Sequence, residues 1–193
     1  MNALDALLRR YALGEAADVL PFVVGPRVLD LGAGEGWVTA TLARHGFAAW
    51  GADVGPFARA AIPYVVYDGT RLPFGDASFE TTLLLLTLHH CEKPEAVFDE
   101  AIRVTRVRLI VTESVVRNRL DRVWLDLLDG RFNRLRHGGR MPLPLGFRRA
   151  EEWERLFASR GLAPASHRAR ALLPGAGRTL VSPAGRGRAR YRA

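Results

Sequence analysis

The sequence predicts an α/β domain in which a doubly wound, mostly parallel sheet carries helices on both faces. Three observations predict it. From residue 27 onward, short strand-like segments alternate with segments of helical period. Thr81–Leu88 is apolar on both faces, as a central strand covered by helices on each side must be. The first strand runs straight into a glycine-rich turn that opens a helix.

Residues 2–12 read as a helix with Leu4, Leu7, Leu8 and Tyr11 on one face, followed by a second helical piece, Glu15–Leu20, before Pro21. Arg27–Leu31 is the first strand, and Trp37–His45 is a helix that Gly46 stops. Ala48–Val54 is the second strand. A short helix through Phe57–Ala61 leads to a third strand, Tyr64–Asp68. Thr81–Leu88 is the fourth strand, Pro94–Arg106 a helix with proline in its first turn, and Arg108–Glu113 the fifth strand. The pattern then changes. Residues 115–148 are rich in arginine and hold an amphipathic helix with Leu120, Val123, Trp124, Leu127 and Leu128 on one stripe. A helix resumes at Arg149–Arg160, with Trp153, Leu156 and Phe157 turned inward. Residues 162–172 and 178–182 supply two further strands, and Pro183–Ala193 is a basic tail expected to be flexible.

Composition narrows the function classes. The chain has 193 residues, 48% hydrophobic and 25% charged, which is ordinary for a globular protein. One cysteine, Cys91, excludes an internal disulfide. The N-terminus lacks the apolar run of a secretory signal and no stretch is long enough to span a bilayer, so a cytoplasmic location is expected. The net charge is +8, carried by arginine except for Lys93. Such a surface attracts phosphate-rich partners such as RNA or anionic lipid, yet charge alone does not establish nucleic-acid binding.

The chemistry is concentrated at Val28-Leu29-Asp30-Leu31-Gly32-Ala33-Gly34-Glu35-Gly36-Trp37. Glycine permits close approach of backbone to a ligand, and the helix behind aims its N-terminus at that ligand. A phosphate P-loop requires Gly-Lys-Ser/Thr, but Trp37 follows Gly36. A dinucleotide fingerprint requires its third glycine at position 37, which is again Trp37. Asp30 at the strand end would repel a pyrophosphate, whereas the amino-acid end of a sulfonium cofactor tolerates it. A methyl-donor site remains as the third reading.

At these residues the sequence resembles the class I S-adenosylmethionine-dependent methyltransferases. Asp30-x-Gly32-x-Gly34-x-Gly36 matches that family's first motif, Asp53 ends the second strand, and Tyr67-Asp68-Gly69 ends the third. Leu72-Pro73-Phe74-x-Asp76-x-Ser78-Phe79, Leu88-His89-His90 and Glu100-x-x-Arg103 resemble its type 11, UbiE-like subgroup. The resemblance implies a Rossmann-like, seven-stranded, mostly parallel sheet with its last strand antiparallel. It also implies a methyltransferase domain over residues 1–182, a substrate lid inserted at 115–148 and a tail at 183–193. S-adenosyl-L-methionine is the implied cofactor, held by Asp30, Gly32, Ala33, Gly34, Gly36, Trp37, Asp53, Val54, Asp68, Gly69 and Thr87. In the family, Asp53 grips both ribose hydroxyls and Asp68 accepts a hydrogen bond from the adenine amino group; Trp37 is expected to wall the methionine arm.

His89 and His90 follow the fourth strand at the edge where open α/β sheets bind ligands, and are the candidate bases. Their alternative role is packing and capping. Adjacent histidines without a spaced third ligand do not form a metal site. Arg136, His137 and Arg140, in the densest basic cluster, are candidate clamps for an anionic acceptor. Glu80, where the subgroup has aspartate, is expected to be structural. A small-molecule acceptor is the leading expectation. An RNA methyltransferase using the arginine-rich lid and tail, and a non-catalytic cofactor-binding protein, are the alternatives; the chain lacks an Asn-Pro-Pro-Tyr-like base-flipping motif after the fourth strand.

Overall fold

The computed structural model describes residues 3–127, 146–162, 166–169 and 177–183. The sheet contains five parallel strands in the order β3-β2-β1-β4-β5: β1 (Arg27–Leu31), β2 (Ala48–Asp53), β3 (Tyr64–Val66), β4 (Phe79–Leu85) and β5 (Thr105–Ser114). The chain runs outward from β1 through β2 to β3, then crosses back to β4 and β5. The strand order therefore reverses between β1 and β4. At such a switch point the connections leave in opposite directions, and a crevice opens at the carboxyl ends of the two strands. Two further strands follow: β6 (Ser166–Ala169) pairs antiparallel with β7 (Gly177–Pro183), which pairs antiparallel with β5.

Alternation along the strands divides the core between two faces, because successive side chains point to opposite sides. Leu29, Leu31, Leu84, Leu109 and Val111 join one cluster, closed by α3 (Pro94–Val104) and a later helix containing Trp153 and Phe157. Val28, Leu83 and Ile110 join the other, closed by α1 (Ala3–Val19) and α2 (Trp37–Arg44).

Several expectations are corrected. The two N-terminal helical pieces are one helix, α1, followed by a 3-10 turn at Leu20–Phe22. It buries Ala12, Ala16 and Val19, while Leu7 and Tyr11 are exposed. Ala12, Ala16 and Val19 share a cluster with Val38 and Leu42 of α2. Phe57–Ala61 is not helical. The amides of Arg59 and Ala60 both donate to Glu35 O at 3.0 Å, so the segment straps across the glycine turn instead. β5 begins at Thr105, directly after α3, where the Thr105 hydroxyl lies between Ala101 O and Thr82 Oγ1.

Residues carrying the subgroup resemblance largely hold the fold. Glu100 accepts the Leu72 amide at 2.7 Å and the Arg103 Nε at 2.8 Å, and Arg103 Nη1 reaches Asp76 at 2.7 Å. The loop between β3 and β4 is thereby latched to α3. Glu80 takes the Arg27 amide at 3.1 Å and its Nη2 at 2.7 Å, tying the start of β1 to β4 as the structural reading of Glu80 expects.

Beyond β5 the chain leaves the sheet at Val115 and returns at Arg148, where the two residues form an isolated parallel bridge and the Val116 amide donates to Arg148 O at 3.1 Å. A helix, α4, covers 119–127, and α5 (Ala150–Ser159) follows the return. Leu120, Val123, Trp124 and Leu127 of α4 are exposed rather than inward, and Leu128 lies outside the described residues. Among the described residues no helix is long and apolar enough to cross a membrane.

Candidate active site

The glycine turn sits at the end of β1. Its amides fold back onto β2: Gly32 and Ala33 donate to Ala52 O at 2.8 and 3.1 Å. Gly32, Gly34 and Gly36 all have positive φ, +84°, +52° and +79°. Gly32 has a second reason to be glycine. A Cβ there would lie 2.3 Å from Thr87 Oγ1, which itself bonds to Leu31 O at 3.2 Å and Leu85 O at 3.1 Å. Thr87 thus buttresses the turn from the β4 side of the switch point.

Asp53 joins the second edge to the first. Its Oδ2 accepts the Gly34 amide at 2.9 Å and its Oδ1 accepts the Val54 amide at 2.7 Å. Each carboxylate oxygen retains a second lone-pair direction, so both can still receive a hydroxyl. Burial raises the Asp53 pKa, and the two amides oppose that rise. The third edge meets the second through the Tyr67 amide, 3.0 Å from Asp53 O, and through Gly69, whose Cβ position is 3.5 Å from Val54 Cγ1. Asp68 is exposed. Its Oδ1 accepts the Thr70 amide, the Thr70 hydroxyl and the Arg71 amide, which together lower its pKa to about 2. All three bonds fall on one oxygen, leaving Oδ2 available to a donor outside this turn.

Asp30 lies beneath the turn, 3% exposed, and accepts the Thr39 hydroxyl at 2.7 Å. Desolvation raises its pKa to about 6, with nearby Asp53 adding to the rise and Thr39 opposing it. Trp37 is half-buried in the α1–α2 cluster with the Arg9 guanidinium 4.5 Å from its ring centroid, so it is bound up with α1 as well as bordering the turn.

His89 is enclosed. Its ring is 2% exposed, Nδ1 is 2.6 Å from Glu113 Oε2, and Phe147 stacks on it at 4.8 Å. The other Glu113 oxygen accepts the amides of Thr87 at 3.1 Å and Leu88 at 2.7 Å. His90 is half-buried, its ring 4.0 Å from that of His89. The Gly146 amide donates to His89 O at 2.8 Å, so the returning end of segment 115–148 is pinned here. Nearby, a cavity of about 180 Å³ is lined by Val115, Val116, Arg117, Arg149, Ala150 and Glu151.

The structure therefore brings together Asp30, Gly32, Ala33, Gly34, Gly36, Asp53, Val54, Asp68, Gly69 and Thr87 on adjoining strand ends. Arg136, His137 and Arg140 lie outside the described residues. Among the described residues no group of three or more His, Cys, Asp or Glu could hold a metal ion. Three participants were not anticipated: Thr39; Tyr64, whose hydroxyl bonds Gly34 O at 3.3 Å and Gly55 O at 3.0 Å; and Glu113. Glu113 did carry a signal. It is an acid closing an apolar strand, as Asp30 and Asp53 are.

Comparison with known proteins agrees with this geometry. A family model described as a methyltransferase domain matches residues 29–108. A demethylmenaquinone methyltransferase of Beutenbergia cavernae is 37% identical over 119 residues, covering 57% of this chain and 48% of that protein. The chain thus spans about half the length of the curated relatives it matches. Among solved structures, a methyltransferase in complex with the Haloferax volcanii Trm112 activator superposes with a TM-score of 0.71 at 15% identity, covering 91% of this chain and 89% of that one. Magnesium protoporphyrin IX methyltransferase from Synechocystis, with S-adenosylhomocysteine bound, superposes at 0.65 with 17% identity, covering 95% and 88%. At these identities the superpositions establish the fold.

Fold, glycine turn and strand-end acids are thus similar to those of methyltransferase domains, with the family match spanning residues 29–108.

Proposed function

We propose that the protein binds S-adenosylmethionine across the β1–β4 switch point and transfers its methyl group to a small-molecule acceptor. The observation that carries this reading is the junction of three strand ends by Gly34–Asp53 and Asp53–Tyr67 hydrogen bonds, with the glycine turn packed against Thr87. The donor set fits the cofactor. Asp53 has lone pairs for a ribose diol, Asp68 Oδ2 for an adenine amine, and Asp30 supplies negative charge near a cofactor ammonium. When bound, the cofactor supplies a methyl group already activated on a positively charged sulfur. The chain's own work is then to align, to exclude water and to hold the acceptor in line.

His89 is assigned a positioning role. Its enclosure and its Glu113 partner suit it to fixing the loop after β4, and to anchoring the chain where segment 115–148 returns. That segment is assigned to acceptor recognition, with Arg136, His137 and Arg140 as its anion-binding candidates. Two relatives support a small acceptor by name, acting on demethylmenaquinone and on magnesium protoporphyrin IX. The seven-stranded sheet with a reversed last strand belongs to the same reading, supported by the antiparallel β5–β7 ladder.

The test is turnover. The full chain, supplied with methyl-labelled cofactor and a panel of hydroxylated aromatic, amine and carbon acceptors, is expected to release S-adenosylhomocysteine in step with a labelled small product. Cofactor binding with no release over the whole panel would favour a non-catalytic binding protein. Label appearing only in RNA would overturn the small-molecule assignment.

A further inference from the structure

Parallel strands are usually joined through a helix that packs on the sheet. Segment 54–63, which joins β2 to β3, contains no helix. It is held at the glycine turn instead. The Arg59 and Ala60 amides donate to Glu35 O, and Ile62 Cδ1 lies 2.5 Å from where a Cβ on Gly36 would stand. Tyr64, half-buried at the start of β3, completes the hold. Its Cδ2 lies 2.9 Å from the Cβ position of Gly51, so glycine there leaves room for the ring. Its hydroxyl reaches Gly34 O at 3.3 Å and Gly55 O at 3.0 Å. The hydroxyl has one proton, so it serves both carbonyls as a shared donor. Burial raises the Tyr64 pKa, the nearby Asp53 charge adds to the rise and the Phe57 amide opposes it, so the hydroxyl keeps that proton.

The two carbonyls belong to the loops that grip Asp53. Gly34 gives its amide to Asp53 Oδ2 at 2.9 Å and its carbonyl to Tyr64. Val54 gives its amide to Asp53 Oδ1 at 2.7 Å, and the next residue, Gly55, gives its carbonyl to Tyr64. We propose that Tyr64 is a positioning residue for the cofactor ribose: by bridging Gly34 and Gly55 it fixes the two amides that orient the Asp53 carboxylate toward the diol. The inference rests on the reading that Asp53 holds a ribose. A carboxylate that takes two hydroxyls at once must be held in one plane, and its own partners have to be held for that to last. Without the Tyr64 hydroxyl, the Gly34 and Gly55 carbonyls lose their common partner. The amides remain, but the carboxylate between them is free to rotate further, and a two-point contact suffers more from rotation than a one-point contact does.

Calorimetric titration of the full chain with S-adenosylhomocysteine and with its 2′,3′-dideoxy analogue tests it. Tyr64→Phe keeps the ring beside Gly51 and should retain the parent's circular dichroism. Its affinity for S-adenosylhomocysteine is expected to fall roughly three- to tenfold. Its affinity for the dideoxy analogue should match the parent's, because that ligand has no diol for Asp53 to hold. In an Asp53→Ala background, adding Tyr64→Phe should bring little further loss, since the group it acts through is gone. A general loosening of the fold would instead weaken both ligands alike and in both backgrounds. The coupling is also reciprocal. In the parent, S-adenosylhomocysteine should slow solvent exchange of the Tyr64 hydroxyl proton more than the dideoxy analogue does, a reading that needs no variant to fold. The inference is overturned if Tyr64→Phe binds S-adenosylhomocysteine as the parent does, if it weakens the two ligands equally, or if the two ligands protect the hydroxyl proton equally. Failure of the parent itself to bind S-adenosylhomocysteine is a separate result, which removes the ribose reading of Asp53 and this inference with it.

Discussion

At Asp30 two effects of opposite sign act on one carboxyl group. Burial disfavours its charge and raises its pKa to about 6, while the Thr39 hydroxyl favours the charge. A carboxyl whose pKa is raised by folding holds its proton more tightly in the native state than in the unfolded chain. Its contribution to stability therefore falls as pH rises from about 4 through 6. Asp30→Asn should thus be more stable than the parent at pH 7, by up to on the order of 3 kcal/mol, with the difference vanishing near pH 4. Urea unfolding of the ligand-free proteins at several pH values measures this. If the cofactor ammonium sits near Asp30, cofactor affinity should tighten over the same interval in the parent alone. Glu113 is a buried carboxylate with three hydrogen-bond partners, the amides of Thr87 and Leu88 and the His89 ring. Glu113→Gln places an amide among those N–H groups and should cost about 1–3 kcal/mol, read as a lower unfolding midpoint. The positions of Asp30, Asp53 and Asp68 at strand ends were legible in the sequence through the resemblance to the methyltransferase family, which implies acids there. The enclosure of His89 was not, because its partners Glu113 and Phe147 are distant in sequence.

Among elements, the glycine turn was the most legible and α4 the least. The turn's requirements are local: positive φ, a following helix and no Cβ. Gly32→Ala tests it doubly, since the new methyl group meets Thr87 and the backbone conformation disfavours it. Loss of cofactor binding is expected, together with a destabilisation of about 1–3 kcal/mol in thermal or urea unfolding. Parent-like binding in this variant would mean that the turn is not packed against Thr87. α1 and α4 share a lesson. In both, periodicity predicts an apolar stripe, but a stripe does not say what covers it. In α1 the buried residues are Ala12, Ala16 and Val19, with Leu7 and Tyr11 exposed; in α4 Leu120, Val123, Trp124 and Leu127 are exposed. Phe57–Ala61 failed for another reason: its amides are taken by Glu35 O, a long-range bond invisible to local propensity.

For the whole molecule, five strands and their alternation with helices were readable because a buried parallel strand leaves a distinctive apolar run. The strand order was not. It is fixed by the return from β3 to β4, which creates the switch point and places Gly32 against Thr87. A ligand bound across that point ties β1, β2 and β3 to one another, so it should stabilise the native state by mass action. At ligand concentrations near a hundred times the dissociation constant, a gain of about 2.7 kcal/mol is expected, seen as a raised melting temperature with S-adenosylhomocysteine. Adenosine diphosphate should give no comparable shift, because Asp30 and Asp53 both repel its phosphates.

The central claim is that the ends of β1, β2 and β3 hold one sulfonium nucleoside, with Asp53 on its sugar. Calorimetric titration of S-adenosylhomocysteine into the parent and into folded Asp53→Ala measures it most directly. A single site is predicted in the parent, weakened by about 1–3 kcal/mol in the variant through lost hydrogen bonds to a charged acceptor. No binding to the parent, or equal affinity in the two proteins, would contradict the account.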